Sequence, residues 1–178
     1  MTLEELLVQH SAPTLAGIKS ASLICLSLLE KSGGINFRVL QEKGLSFFTL
    51  HNRKGCCLLL VYRERQLKAC LDDPEARQLL ASKGYDLSSP LSALKGLRQR
   101  FLSDDFPHEV GVFLGYPVKD VKGFIENNGE NYILSGMWKV YSDAESAERT
   151  FDRYRRCSKV YKALLAKGTC LERLCVSA

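Results

Sequence analysis

Apolar residues recur along this chain in two rhythms, short unbroken runs and helical stripes, and the rhythms alternate. The stretch from Phe106 to Tyr141, FPHEVGVFLGYPVKDVKGFIENNGENYILSGMWKVY, shows both. Val110–Leu114 is a short apolar run suited to a strand buried on both faces. Gly115-Tyr116-Pro117 ends it. Pro117 lacks an N–H and has φ fixed near the helical value, which suits the first turn of a helix. The spacing then predicts a helix with Val118, Val121, Phe124 and Ile125 on its buried side. Lys119, Asp120, Lys122 and Glu126 fall on the other side. Asn127-Asn128-Gly129 stops the helix, because Asn and Gly tolerate the left-handed conformation. Tyr132–Tyr141 reads as a second strand. Strand, helix and strand of these lengths make a βαβ unit with parallel strands and a right-handed crossover.

The rest of the chain is read in the same way. Met1–Gln9 carries Leu3, Leu6 and Leu7 at helical spacing, and His10–Gly17 follows as a compact turn punctuated by Pro13 and Gly17. Ala21–Leu29 could be a buried strand or a buried helix segment, with a strand favoured at its start, and Asn36–Lys43 is a helix ended by Gly44. Leu45–His51 and Cys56–Tyr62 are strands around Asn52-Arg53-Lys54-Gly55, a hairpin signal. CCLLLVY is apolar on both faces and is expected at the centre of the sheet. Helices follow over Gln66–Leu71, from Asp73-Pro74-Glu75 to Gly84, and from Ser89-Pro90 with Leu91, Leu94, Leu97 and Phe101 as the buried stripe. Ser142-Asp143-Ala144-Glu145 matches a capping box. The long helix it opens buries Ala147, Phe151, Tyr154, Tyr161, Leu164 and Leu165 and ends at Gly168. Leu171–Val176 returns as an edge strand. These elements predict a single α/β domain. Its sheet is mixed, with an N-terminal hairpin and a C-terminal βαβαβ run, and helices pack on the sheet.

Composition narrows the class without naming a function. A chain of 178 residues, 46% hydrophobic and 25% charged, is an ordinary globular sequence large enough for a real core. No apolar run is long enough to span a bilayer. The N-terminus MTLEELLVQH is acidic before it is apolar, unlike a secretory signal, so a cytoplasmic address is expected. The net charge of +5 is spread along the chain with one concentration in the last helix, which gives no clear nucleic-acid signal. Seven cysteines with no CxxC pair fit neither a disulfide framework nor a structural zinc site, and most are expected to be small buried hydrophobes.

HSAPTLAGIK near the start, LLLVYR at the centre, FPHEVGVFLGYPVKDVKGFI and GMWKVY together resemble a bacterial family, domain-of-unknown-function family 3793. The resemblance covers about Leu7 to Leu174, and HEVGVFLGYP is its most specific part. Many members carry cysteine where this chain has Ser11 and proline where it has Ser20. The resemblance supplies no activity, and any cofactor is left unknown.

The candidate chemistry therefore comes from the residues. His108 and Glu109 could form an acid–base pair, since imidazole titrates near neutrality and a carboxylate tunes it. Against this, neighbours in an extended segment point to opposite faces, and Glu109 could simply pair with an arginine. His10 and Ser11 could supply a base and a nucleophile, although no GxSxG elbow is present. Gly115-Tyr116-Pro117, where a strand gives way to a helix N-terminus, is where ligands and anions gather in open α/β sheets. Trp138, Tyr141 and Tyr116 could line a pocket there or sit in the core. Two function classes follow. One is a ligand-binding or regulatory domain using His10, Ser11, Thr14, Arg63, Tyr116 and Lys119, with an unidentified small molecule or anion as partner. The other is an enzyme using His108 and Glu109 with His10 or Ser11. The first turn of the Val118 helix is expected to border the main concave site, its free N–H groups met by the turn holding His10 and Thr14.

Overall fold

A computed structural model describes residues 1–26, 35–51 and 57–177. Its centre is β3 (Cys57–Arg63), which lies between β1 (Ala21–Cys25) and β2 (Leu45–His51) and is antiparallel to both. Leu60 pairs with Leu23 on one side and Phe48 on the other. Side chains alternate across the pleat. Leu58, Leu60 and Tyr62 join one apolar cluster, while Leu59 and Val61 join another. The unbroken apolar run of β3 thus reflects a strand covered by helices on both faces, at the sheet centre as expected. The Asn52–Gly55 turn expected between β2 and β3 lies outside the described residues, as does the end of the Ala21–Leu29 reading.

On the first face lie α3 (Glu64–Asp72), α4 (Pro74–Ser82), α5 (Pro90–Phe101), α6 (Val110–Phe113) and α7 (Val118–Glu126). They bury Leu67, Leu71, Leu80, Leu94, Leu97 and Phe113 against the sheet. Each such side chain contributes roughly 1.5–3 kcal/mol. Local signals set their starts. Asp73 accepts from Ala76 N and Ser89 from Ser92 N, each with proline next in the helix. On the second face lie α1 (Leu3–Leu15), α2 (Phe37–Glu42) and α9 (Leu171–Leu174), with Leu6, Leu7, Leu40 and Leu171 fully buried. A smaller cluster of Val140, Ala147 and Phe151 joins the two-stranded hairpin β4 (Leu134–Ser135) and β5 (Lys139–Val140) to α8 (Ala144–Ala166). No described helix is long and apolar enough to cross a membrane.

Helices and strands share one fold as expected, but the parallel βαβαβ run is not there: every described strand pairing is antiparallel. Val110–Leu114 folds as the helical turn α6 and its cap. A five-residue apolar run carries no period that separates a strand from a buried helix. Here Val110, Gly111, Val112 and Phe113 are buried all round. Tyr132–Tyr141 is the short β4–β5 hairpin and not one strand. Leu171–Val176 begins as α9, because the Glu4 carboxylate reaches across from α1 to accept from Leu171 N at 2.8 Å. Helix α1 runs through the expected His10–Gly17 turn and tolerates Pro13 inside it. Its start is a capping box in which Thr2 and Glu5 bond reciprocally.

Several side chains also face other ways than expected. Leu91 and Leu164 are exposed, and Ala93 takes the place of Leu91 in the buried stripe. Asp120 is buried. Among the described cysteines only Cys175 is fully buried; Cys170 is exposed and Cys25, Cys57, Cys70 and Cys157 are half-buried.

Arg63, at the end of β3, ties these layers together. It is 2% exposed. Its Nε donates to Thr14 O at 2.9 Å and its Nη1 to Lys43 O at 2.7 Å, while Nη2 donates to Leu15 O and to Cys175 Sγ. The carbonyls belong to the C-terminal ends of α1 and α2, where the helix dipole favours a cation. No carboxylate among the described residues pairs with Arg63, so its partners are backbone dipoles and a thiol. Arg63→Met should cost at least about 3 kcal/mol, because it leaves several buried carbonyls without donors. Ser11 provides the contrast. Its hydroxyl is fully buried and has no hydrogen-bond partner among the described residues. Ser11→Ala should be neutral or stabilising, since it removes a desolvated orphan and no bond. Urea unfolding of the two variants checks both; an R63M midpoint equal to wild type would contradict the first.

Candidate functional site

Helix α7 follows the sharp corner at Gly115, whose φ of +73° favours glycine. Its first turn brings Asp120 inward, to a position 2% exposed. Four donors converge on this carboxylate. Oδ1 accepts from Tyr141 N at 2.9 Å, Ser142 N at 2.9 Å and Ser142 Oγ at 2.7 Å. Oδ2 accepts from the Trp138 indole N–H at 2.8 Å. Asp120 therefore holds the β4–β5 hairpin against α7. Gly123 permits the close approach: a Cβ there would lie 2.5 Å from Tyr141 Cγ. Ser142 is thereby withdrawn from the cap expected of it. Asp143 caps α8 instead, accepting from Ser146 N at 2.9 Å.

The docked hairpin closes one wall of a pocket of about 240 Å³. Met137, Trp138 and Lys139 form this wall. Val110 and Gly111 of α6 with Val121 and Phe124 of α7 form the opposite one, Leu23 of β1 reaches the back, and Phe106 and His108 stand at the rim. The lining is largely apolar, and Phe106, His108, Tyr116, Phe124 and Trp138 contribute rings to it. Tyr116 stacks on Trp138 with centroids 4.8 Å apart and planes 24° from parallel. Phe151 meets Trp138 in a T-shaped contact at 4.5 Å and so supports it from behind. The His108 ring packs on Phe124 at 4.7 Å and Phe106 at 5.3 Å. These offset and edge contacts are the favourable aromatic geometries, and they fix the walls.

Outside the pocket, Lys19 lays its ammonium 5.5 Å from the centroid of the Tyr116 ring. Burial lowers the Lys19 pKa to about 8 and pushes the Tyr116 hydroxyl up. Tyr116 is thus held between a cation and an indole.

Of the residues singled out by the sequence, Tyr116, Trp138 and His108 meet at this pocket. Glu109 does not share it with His108. The two lie in the turn that opens α6, and Glu109 is buried on the other side. Its carboxylate accepts from Tyr85 Oη at 3.0 Å and Arg100 Nε at 2.9 Å. The bond to Glu109 raises the Arg100 pKa further, while burial, and then Glu109, pushes the Tyr85 hydroxyl up. His10 is an exposed residue of α1, while Ser11, beside it, is sealed inside. Thr14 Oγ1 pairs with Ser22 Oγ at 2.9 Å, and Arg63 caps helix ends. Lys119 is exposed on the outer side of α7. The expected corner between Gly115 and the His10–Thr14 turn is made instead by Ser20, whose hydroxyl donates to Phe113 O at 3.3 Å.

Asp120, Phe106, Phe124, Met137 and Lys139 escaped sequence reasoning as site residues. An acidic residue immediately before the apolar Val121-x-x-Phe124 stripe was the available signal for Asp120. It looked like the solvent face because its partners come from the hairpin.

Two outcomes follow. Asp120→Ala leaves an indole N–H and two backbone N–H groups without their acceptor. It should cost about 2–4 kcal/mol and shift Trp138 emission to the red. Unchanged emission and an unchanged urea midpoint would contradict the role given to Asp120. The second concerns pH. With the Lys19 pKa lowered from 10.5 to about 8, the unfolded chain keeps a proton across that window that the folded chain has released. More protons on the unfolded state means that stability rises with pH there. The burden of the buried ammonium is full below about pH 8 and is relieved above it. The stability difference between wild type and Lys19→Met should therefore change in favour of wild type from pH 8 to pH 10. A constant difference would rule this out.

No curated protein and no solved structure matches the chain. The family described as protein of unknown function DUF3793 matches residues 7–175, nearly the whole length and including every residue that builds the pocket; the chain belongs to that family.

Proposed function

We propose that this protein is a single-domain cytoplasmic ligand-binding or regulatory protein that holds a small, largely apolar molecule in the pocket between α6–α7 and the β4–β5 hairpin. The observation that carries this reading is the construction of the pocket. Its walls are aromatic and aliphatic, its hairpin wall is fixed by four hydrogen bonds to one buried carboxylate, and few polar groups reach it. Ligand sites are typically concave, apolar and preformed in this way, with a small number of polar groups that set orientation. The volume is that of about eight waters at liquid density, which suits one ring system or a short chain. Phe106 and Met137, at the rim, are 53% and 42% exposed, so the apolar surface is open to an entering molecule. Of the residues proposed from sequence, Tyr116, Trp138 and His108 take part in this site; His10, Ser11, Thr14, Arg63 and Lys119 support or flank the fold.

The test uses the single tryptophan as reporter. Titration with a neutral flat probe, 2-naphthol, should quench Trp138 saturably with a Kd in the micromolar to low-millimolar range, about −4 to −8 kcal/mol. Met137→Glu places a charge on the rim, away from the buried core, and should weaken binding about tenfold with little change in the urea midpoint. Quenching that never saturates, or that is identical in the variant, would overturn the proposal.

A further inference from the structure

Resting on that reading of the pocket, we infer that its ligand is a small amphipathic carboxylate, with the apolar body against Trp138 and the acid group at Lys139 and His108. Lys139 is a lining residue whose ammonium donates to Gly129 O at 2.6 Å and lies over the rings of Tyr132, at 4.6 Å, and Phe124, at 5.9 Å. An ammonium has three N–H donors, and one is used. Among the described residues no carboxylate lies within ion-pair distance of it. Asp120, the carboxylate that lines the pocket, is surrounded by its four donors, and both of its oxygens are engaged.

His108 lines the same pocket. Its ring packs on Phe124, the ring that Lys139 also faces, and on Phe106; it makes no hydrogen bond within the described residues. Two donors without anionic partners therefore flank Phe124 at the mouth of an apolar pocket. A cationic ligand would meet Lys139 as a like charge. A fully apolar one would lie beside an ammonium and an imidazole without using either. A carboxylate meets both donors through charge-assisted hydrogen bonds, while its ring or chain occupies the aromatic walls.

A matched pair of probes tests this on the full chain: 3-phenylpropionate and 3-phenylpropanamide, equal in body and size and different in charge. Binding is followed by Trp138 fluorescence and by calorimetry. The acid should bind at least about tenfold more tightly than the amide, and the preference should shrink with added sodium chloride, as screening requires. Lys139→Gln removes the charge and keeps a donor for Gly129 O; it should abolish most of the preference. Equal affinities, or a tighter amide, would overturn the inference and leave the pocket reading standing. If neither probe perturbs Trp138, the pocket reading itself fails and the inference with it. A preference for the acid that survives intact in Lys139→Gln would overturn the assignment of the acid group to Lys139.

Discussion

Backbone N–H and C=O groups cannot be buried unpaired without losing free energy comparable to a hydrogen bond. Two charged side chains meet that demand here. Arg63 supplies donors to the carbonyl ends of α1 and α2 and so joins the second helical face to the sheet. Asp120 supplies acceptors to the amides of Tyr141 and Ser142 and so joins the hairpin and the start of α8 to α7. Each acts as a cap delivered from another part of the chain. Neither is balanced by an opposite charge among its hydrogen-bond partners; the compensation is dipolar. Removing one such group from a buried network is far more damaging than its net contribution suggests, because it strands the groups it served.

This division of labour places the pocket. The first face of the sheet is closed by α3 to α6, and the pocket lies where α6 and α7 leave the sheet and the hairpin folds back over them. Trp138 is fixed three times, by its bond to Asp120, by the stack with Tyr116 and by the T-shaped contact with Phe151. A side chain so restrained loses little further entropy when a ligand lands on it, which favours affinity from a small contact area. The Lys19 ammonium above Tyr116 adds a polarised outer layer to the same stack.

Much of the fold was legible where the signal is local. The central β3, the flanking β2, the Pro-initiated α4 and α5, α7 with its Asn-Gly stop and the end of α8 at Gly168 all follow from periodicity and end chemistry within a few residues. The misreadings share one cause: the deciding partner is distant in sequence. The VGVFL run forms a helical turn because core surrounds it on all sides, and LERL is a helix because Glu4 caps it. The site divides in the same way. Aromatic residues pointed to Tyr116 and Trp138, while Asp120 looked like an ordinary surface charge and Lys139 carried no signal of its own. His108 and Glu109, read as one unit, diverge because the turn that opens α6 sends successive side chains in different directions. Arg63 was recognised as important but for a ligand; its acceptors turned out to be the ends of the chain's own helices.

The central claim is that the pocket is preformed, with Trp138 locked in its wall by Asp120 before any ligand arrives. The chain has one tryptophan, so a single indole N–H resonance reports on that bond without ambiguity. Hydrogen exchange of this proton in the ligand-free protein is the most direct measurement. The account predicts one sharp resonance whose exchange is slowed strongly relative to a free indole, together with protection of the Tyr141 and Ser142 amides. Exchange of all three at the rate of an unstructured chain would contradict it, since the hairpin would then be undocked and the wall absent.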